Sequence, residues 1–170
     1  MKLLTKNKLI FYFFVISLNT YAFDISFDIG LGYETWQKNS SYYEINSFIS
    51  SLNLKIPVRF QRIIFAGIFG YNYSNLIKYP KLGLEFNYLI HPDYMPFLGL
   101  RVDLRWYNNI YLEDQKLNTV YTLSFVGGSK VLKLDSSDIW LKIELLLTNS
   151  KYSKINGNGF YFNIDYSLNI

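Results

Sequence analysis

Apolar and polar residues alternate along most of this chain. In Phe23-Asp24-Ile25-Ser26-Phe27-Asp28-Ile29-Gly30-Leu31-Gly32-Tyr33-Glu34 every odd position is apolar or aromatic and every even position is polar or Gly. A period of two places successive side chains on opposite faces of an extended strand, so this run predicts a strand with one apolar and one polar face. The alternation returns seven more times. Its apolar positions are Phe48 and Leu52 to Phe60, then Ile63 to Tyr73, Leu82 to Ile90, Leu98 to Trp106, Leu117 to Phe125, Ile139 to Leu147, and Phe160 to Ile170. Gly, Ser, Asn and single charges fill the positions between. The pattern predicts eight segments of roughly 10–13 residues, and a tilted strand needs about 9–11 to cross a hydrocarbon layer.

The spacing between segments alternates too. Connections around 36–46, 74–80, 107–116 and 149–158 read as long and rich in Asn, Ser, Lys and Tyr. Those at 59–62, 91–94 and 135–138 read as short. Long connections on one side and short ones on the other match a transmembrane barrel, and an even strand number returns both ends of the chain to the short-turn side. In segment six, Gly127-Gly128 predicts a bulge. Beyond it, Lys130-Val131-Leu132-Lys133-Leu134 alternates on a face the pattern leaves open.

A soluble eight-stranded barrel would bury its apolar face. Volume argues against that here. The apolar face carries about five large side chains per strand, on the order of forty, and an eight-stranded barrel has room inside only for its own side chains or one small ligand. The apolar face therefore points outward to lipid, and the Gly-, Ser- and Asn-rich face lines a narrow polar interior. Aromatics near segment ends predict girdles at the headgroups. Tyr33, Trp36, Tyr71, Tyr73, Trp106 and Tyr107 fall near the long-loop ends, and Phe60 and Tyr88 near the short turns.

Residues 1–22 read as a cleaved signal peptide. Lys2, Lys6 and Lys8 precede an apolar stretch, Leu9 to Leu18, too short to span, and Ala22 supplies a small residue before cleavage. The first mature residue would be Phe23. Those three lysines account for most of the formal net charge of +4, and the rest of the chain is close to neutral. A sequence pI near 9.1 is thus weak support for nucleic-acid binding, and no nucleic-acid partner is expected. Cys is absent, which excludes disulfides, cysteine metal sites, a thiol nucleophile and a lipid-modified N-terminal Cys.

The stretch 23–170 resembles the small outer-membrane β-barrels typified by the OmpA transmembrane domain and OmpX. The likeness is one of pattern, with no catalytic signature. The ending Phe162-x-Ile164-x-Tyr166-x-Leu168-x-Ile170 is similar to the closing strand that this family's insertion machinery reads, with Ile170 where the family carries a terminal aromatic. The resemblance implies an all-β, antiparallel up-and-down barrel of eight strands in the bacterial outer membrane. It also implies both mature termini in the periplasm, membrane lipid as surroundings and the insertion machinery as a partner during biogenesis. A monomer is expected.

The polar face carries Asp24, Asp28, Glu34, Lys55, Arg59, Lys81, Glu85, Arg101, Asp103, Arg105, Lys142, Glu144 and Asp165. Confined charges are costly unless paired. Arg101, Asp103 and Arg105 share one face of segment five, and Glu85 and Glu144 are their natural partners by depth, with Lys142 beside them. The expectation is a salt-bridged interior that holds the barrel shut, in a protein of structural or surface-interaction type. The alternative is a narrow gated channel whose pairs exchange partners. Neither a metal-ligand cluster, nor a nucleotide loop, nor a nucleophile motif is present, and no cofactor is expected. Some small outer-membrane barrels modify lipid A with a His near the outer leaflet. Here the single His91 falls in the short turn His91-Pro92-Asp93, on the opposite side, so no enzyme activity is expected. Tyr42, Tyr43, Tyr111 and Tyr152 in the long loops are candidate contacts for a host or surface ligand.

Overall fold

The structure is a computed structural model and describes residues 24–38, 44–91, 95–112, 115–150 and 155–169. Eight strands follow in chain order: β1 (Asp24–Lys38), β2 (Glu44–Phe60), β3 (Ile63–Tyr73), β4 (Lys78–Leu89), β5 (Phe97–Leu112), β6 (Gln115–Lys133), β7 (Ser137–Ser150) and β8 (Ile155–Asn169). Each pairs antiparallel with the next, and β1 pairs with β8 from Asp24 opposite Asn169 to Lys38 opposite Ile155, so the sheet closes on itself. Closure removes the free edges that a hydrocarbon environment would leave unsatisfied. We call the end carrying connections 39–43, 74–77, 113–114 and 151–154 the upper end. The lower end carries 61–62, 90–96 and 134–136.

The two faces separate as the alternation requires. Ile29, Leu31, Leu52, Phe69, Leu84, Leu98, Phe125, Ile143, Phe162 and Ile164 point outward and are exposed, while Asp28, Asn53, Glu85, Arg101, Asp103 and Glu144 point inward and are buried. Between its two rims this is an inverted protein: charges lie inside and apolar side chains form the outer surface. No helix among the described residues is long and apolar enough to cross a membrane, and the strands supply the apolar belt instead.

Several details differ from the sequence expectation. The strands run further upward than the apolar alternation does. The hydrogen-bonded ladder continues through Thr35, Gln37, Asn46 and the Asn-rich start of β8, because a paired backbone needs no apolar side chains. The upper connections are therefore short, and the longest connection, 90–96, lies at the lower end. Tyr111 falls within β5 rather than in a loop; its side chain, like residues Tyr42, Tyr43 and Tyr152, lies outside the described residues. Gly127 and Gly128 pair regularly with Leu98 and Phe97, and the β6–β7 register shift comes later, between Lys130 and Leu132. That shift settles the open face. Leu132 lies opposite Ile139 on the outside, and Lys133 lies opposite Asp138.

Lipid-facing and lumen-facing sites should respond differently to charge. Leu100→Arg, on the outer belt, should cost about 2–4 kcal/mol near the midplane, read by urea titration of protein folded in liposomes. Leu100→Ala should cost far less. Equal losses for the two variants would contradict the assignment of faces.

Candidate functional site

Among the described residues, chemistry-bearing side chains converge in the lumen, and alternation puts them there. On β5 the inward positions include Arg101, Asp103 and Arg105, three charges in a column. Arg101 Nη1 lies 3.0 Å from Glu144 Oε2 and 3.9 Å from Glu85 Oε2, and its Nε lies 3.0 Å from Asp103 Oδ1. Asp103 also lies 3.4 Å from Arg105 Nη2, so it bridges the two guanidiniums. Ser124 donates to the other oxygen of Glu144 at 2.8 Å. Below this group Lys55 reaches Asp28 at 2.6 Å, Glu85 at 3.1 Å and Asp165 at 3.5 Å. Lys142 pairs with Asp165 and lies 3.6 Å from Glu85. The carboxylates are thus shared, and Glu85 answers three cations from three other strands. Glu85, Arg101, Asp103, Arg105, Lys142 and Glu144 do come together.

The sequence reading assigned Arg105 to Glu85 and Glu144. In the structure its main partner is Glu34, through Nη1 and Oε1, while Glu144 is 4.0 Å away. Glu34 is the hub of the upper lumen. Tyr79 Oη donates to Oε1 at 2.6 Å, Tyr161 Oη donates to the same oxygen, and Trp36 Nε1 donates to Oε2 at 3.0 Å. Arg105 Nη1 also donates to Tyr79 Oη at 2.7 Å, and Asn72 Nδ2 donates to Tyr79 at 2.7 Å and Tyr161 at 3.0 Å. Glu34 Oε1 thus accepts from a guanidinium and two phenols, and Oε2 from an indole.

Trp36 and Tyr107, expected on the outer girdle, point inward and are 1% and 3% exposed. With Ile49, Ile77, Tyr79, Val120 and Tyr161 they form an apolar and aromatic layer across the upper lumen. Trp36 and Tyr107 meet edge to face with centroids 5.2 Å apart, and Tyr107 lies 4.4 Å from Tyr79. A second apolar layer, Leu89, Phe97 and Val126 with Ile64, Met95 and Trp140 against it, lies in the lower lumen. The signal for both layers was parity. Trp36, Ile49, Tyr79, Tyr107, Val120 and Tyr161 are each out of phase with the apolar face of their own strand, so they had to point inward.

Lumen glycines make this packing possible. Gly83 sits directly opposite Asp103, whose carboxylate folds over it; a Cβ there would overlap Asp103 Oδ1. Gly157 lies under the Trp36 ring in the same way. Lys81 is buried opposite Arg105, with Nζ 5.9 Å from the centre of the Tyr161 ring, and no carboxylate of the described residues lies within ion-pair distance. Arg59 is exposed at the lower rim, and Asp24 lies beside the lower mouth. His91 is exposed at the lower end. Among the described residues no group of acidic, His or Cys side chains could hold a metal.

Eight antiparallel strands closed on themselves, apolar outside and ionic inside, define a small transmembrane β-barrel. The fold is that of the small eight-stranded outer-membrane barrels. Neisserial surface protein A (NspA) matches with a TM-score of 0.62 at 13% identity, covering 86% of this chain and 97% of that one. The N-terminal barrel domain of Pseudomonas aeruginosa OprF matches with a TM-score of 0.55 at 10% identity, covering 84% and 97%. Outer membrane protein AlkL, solved in lipid bilayers, matches with a TM-score of 0.55 at 11% identity, covering 87% and 90%. At such identities the likeness is one of fold. No protein-family model matches the chain, and no curated protein matches its sequence.

Two glycine substitutions separate lumen packing from belt packing. Gly83→Ala forces Asp103 off both arginines and should cost about 1–3 kcal/mol, the usual penalty for overpacking. Gly67→Ala, outward where a Cβ meets nothing within 4 Å, should stay within about 0.5 kcal/mol of the parent. Denaturant midpoints in liposomes measure both, and similar losses would refute the close-approach role of Gly83.

Proposed function

We propose that the chain is an integral, monomeric protein of the bacterial outer membrane, of structural or surface-interaction type, with a lumen shut to solutes. One observation carries this reading: the lumen is layered. A layer of Trp36, Tyr79, Tyr107 and Tyr161 lies above, a shared ionic lattice fills the middle, and Leu89, Phe97 and Val126 lie below. An ion entering this path would lose its water, a cost of several kcal/mol, and the lattice carboxylates are already engaged by lysines and arginines. Both mature termini would be periplasmic, which puts the upper end outside the cell. The closing strand β8 is the segment offered to the insertion machinery. Contacts with a host or surface ligand fall to the upper end, where Tyr42, Tyr43, Tyr111 and Tyr152 lie in sequence. No enzymatic role is assigned. A His acting at the outer leaflet would have to sit at the upper end, and His91 sits at the lower one.

A second reading, a narrow gated channel for ions or small solutes, has one observation in its favour. The lower lumen holds a cavity of about 100 Å³ lined by Asp24, Lys55, Arg59, Glu85, Asp138 and Lys142 among others. Several waters fit there. This is a polar mouth that stops at the lattice, and conduction would require the lattice and the upper layer both to rearrange.

Planar-bilayer recording of refolded protein separates the two readings. The wild type should give no reproducible single-channel steps. Joint replacement Trp36→Ala and Tyr107→Ala should leave it silent as well, because the lattice still fills the middle. Steps in the wild type that change on Arg101→Ala would replace the shut barrel with the channel.

A further inference from the structure

We infer that the cavity at the lower mouth of the lumen is a binding site for a primary alkylammonium group. The inference rests on the shut lumen proposed above, which makes this cavity of about 100 Å³ a pocket closed from above by the lattice. It starts from a feature of the lining that the lattice does not use up: acceptors without donors.

The pocket wall already holds two ammonium groups of the chain itself, each by the same pair of contacts. Lys130 Nζ lies 2.6 Å from Asp138 Oδ2 and 5.2 Å from the centre of the Trp140 ring. Lys142 Nζ pairs with Asp165 and lies 5.6 Å from the centre of the Phe97 ring. In each unit a carboxylate supplies charge and accepts hydrogen bonds, and a ring face attracts the cation further. Phe97 and Trp140 meet edge to face with centroids 5.9 Å apart, so the two units share one wall. Both rings and both carboxylates line the cavity.

These contacts leave acceptors over. Asp138 is 8% exposed, and its Oδ1 is buried with no hydrogen-bond partner. Asn87 is 4% exposed; its Nδ2 donates to Glu85 Oε1 at 2.7 Å, and its Oδ1 has no partner either. Asp24 lines the same mouth, close enough to Asp138 for their charges to repel, and no cation of the described residues lies within ion-pair distance of it. The sequence neighbours of this mouth outside the described residues, Phe23, 92–94 and Ile170, include no Lys, Arg or His. The donors present are committed. Lys55 and Lys142 serve lattice carboxylates, and Arg59 donates to Gln61 O at the rim. A buried acceptor left unpaired costs free energy. A primary ammonium brings three N–H donors and a positive charge. Placed between Asp24 and Asp138 it would relieve their repulsion, and its alkyl tail would meet Ile64 and Ala66 of the lining. The volume suits a tail of about two carbons. A quaternary ammonium has no N–H to offer, and no group of acidic side chains among the described residues could hold a metal.

The test titrates the whole mature chain, refolded in phosphatidylcholine nanodiscs, with ethylammonium chloride at constant ionic strength, and reads bound amine by saturation-transfer NMR. Binding should be saturable, and neither sodium nor tetramethylammonium at equal concentration should displace it. Asp138→Asn, which keeps the shape and removes the charge, should weaken binding about tenfold, as loss of a charge-assisted hydrogen bond would. Lys130→Met, which releases the second oxygen of Asp138, should strengthen binding severalfold, a response that a purely structural Asp138 would not give. Heat-modifiable gel mobility reports that each variant is folded. Two arms separate sources of the same chemistry. Displacement by phosphatidylethanolamine in the nanodisc assigns the site to a lipid headgroup. Binding seen only after acetylation of the chain's α-amino group assigns it to the chain's own amine. Absence of binding in all arms, equal displacement by sodium, or an affinity unchanged in either folded variant would overturn the proposal. Single-channel steps from the refolded protein would overturn the shut lumen instead, a result separate from a silent barrel that binds no amine.

Discussion

Eight strands enclose a lumen only wide enough for their own side chains, and the rest of this structure follows from that. The inward face must be filled without overlap, so bulky inward residues lie opposite inward glycines. Asp103 folds over Gly83, and Trp36 covers Gly157. The inward face must also be neutralised, so most of its charges find a partner on another strand or two residues along their own. Neither demand is met by one strand alone. Register and composition therefore constrain each other, since a slip of one residue would turn the charged face toward lipid.

The ionic lattice is better understood as a device for register than as a reservoir of stability. Burying an ion costs several kcal/mol, and attraction repays this only with good geometry and further hydrogen bonds. The lattice meets that condition by sharing. Glu85 serves Lys55, Arg101 and Lys142, and Asp103 bridges Arg101 and Arg105. Glu34 holds Arg105 while also accepting from Trp36, Tyr79 and Tyr161. Removing one member would leave its buried neighbours without a counter-charge. Lys81 is the exception, opposite Arg105 with no carboxylate in reach among the described residues. Its placement follows from parity, and Asp103 and Glu144 attract it from beyond ion-pair distance.

The fold was legible because alternation is local information. Each strand announced its two faces, and volume then chose which face was outside. The charged lining was legible for the same reason. Its pairing was only partly so, because depth in a barrel depends on shear, which no single strand encodes. Arg105 was matched with Glu85 and Glu144, yet the register sets it against Glu34, whose strand is not a neighbour of β5 in the sheet. Trp36 and Tyr107 were misplaced for a different reason. Their nearness to strand ends suggested a girdle, although their parity already put them inside. Where the two signals conflict, parity is the stronger, because a side chain cannot change faces without a bulge. The upper connections were overestimated because polar residues were read as loop, whereas a barrel ladder continues through them.

A lumen this full leaves little inside for a ligand beyond the lower mouth, and that shifts the rest of the question of role to the outer wall and the upper end. The wall is uniform where it meets lipid tails. It becomes specific only where the alternation continues past the belt, as at Thr35, Asn46, Asn156 and Asn158. There the outward residues carry amides and hydroxyls in place of aliphatic side chains. The extra strand length above the belt therefore presents a polar outer face while its inner face carries Trp36 and Tyr107 of the upper layer. One run of alternating residues can do both, because the period that separates lipid from lumen also separates the polar collar from the packed layer.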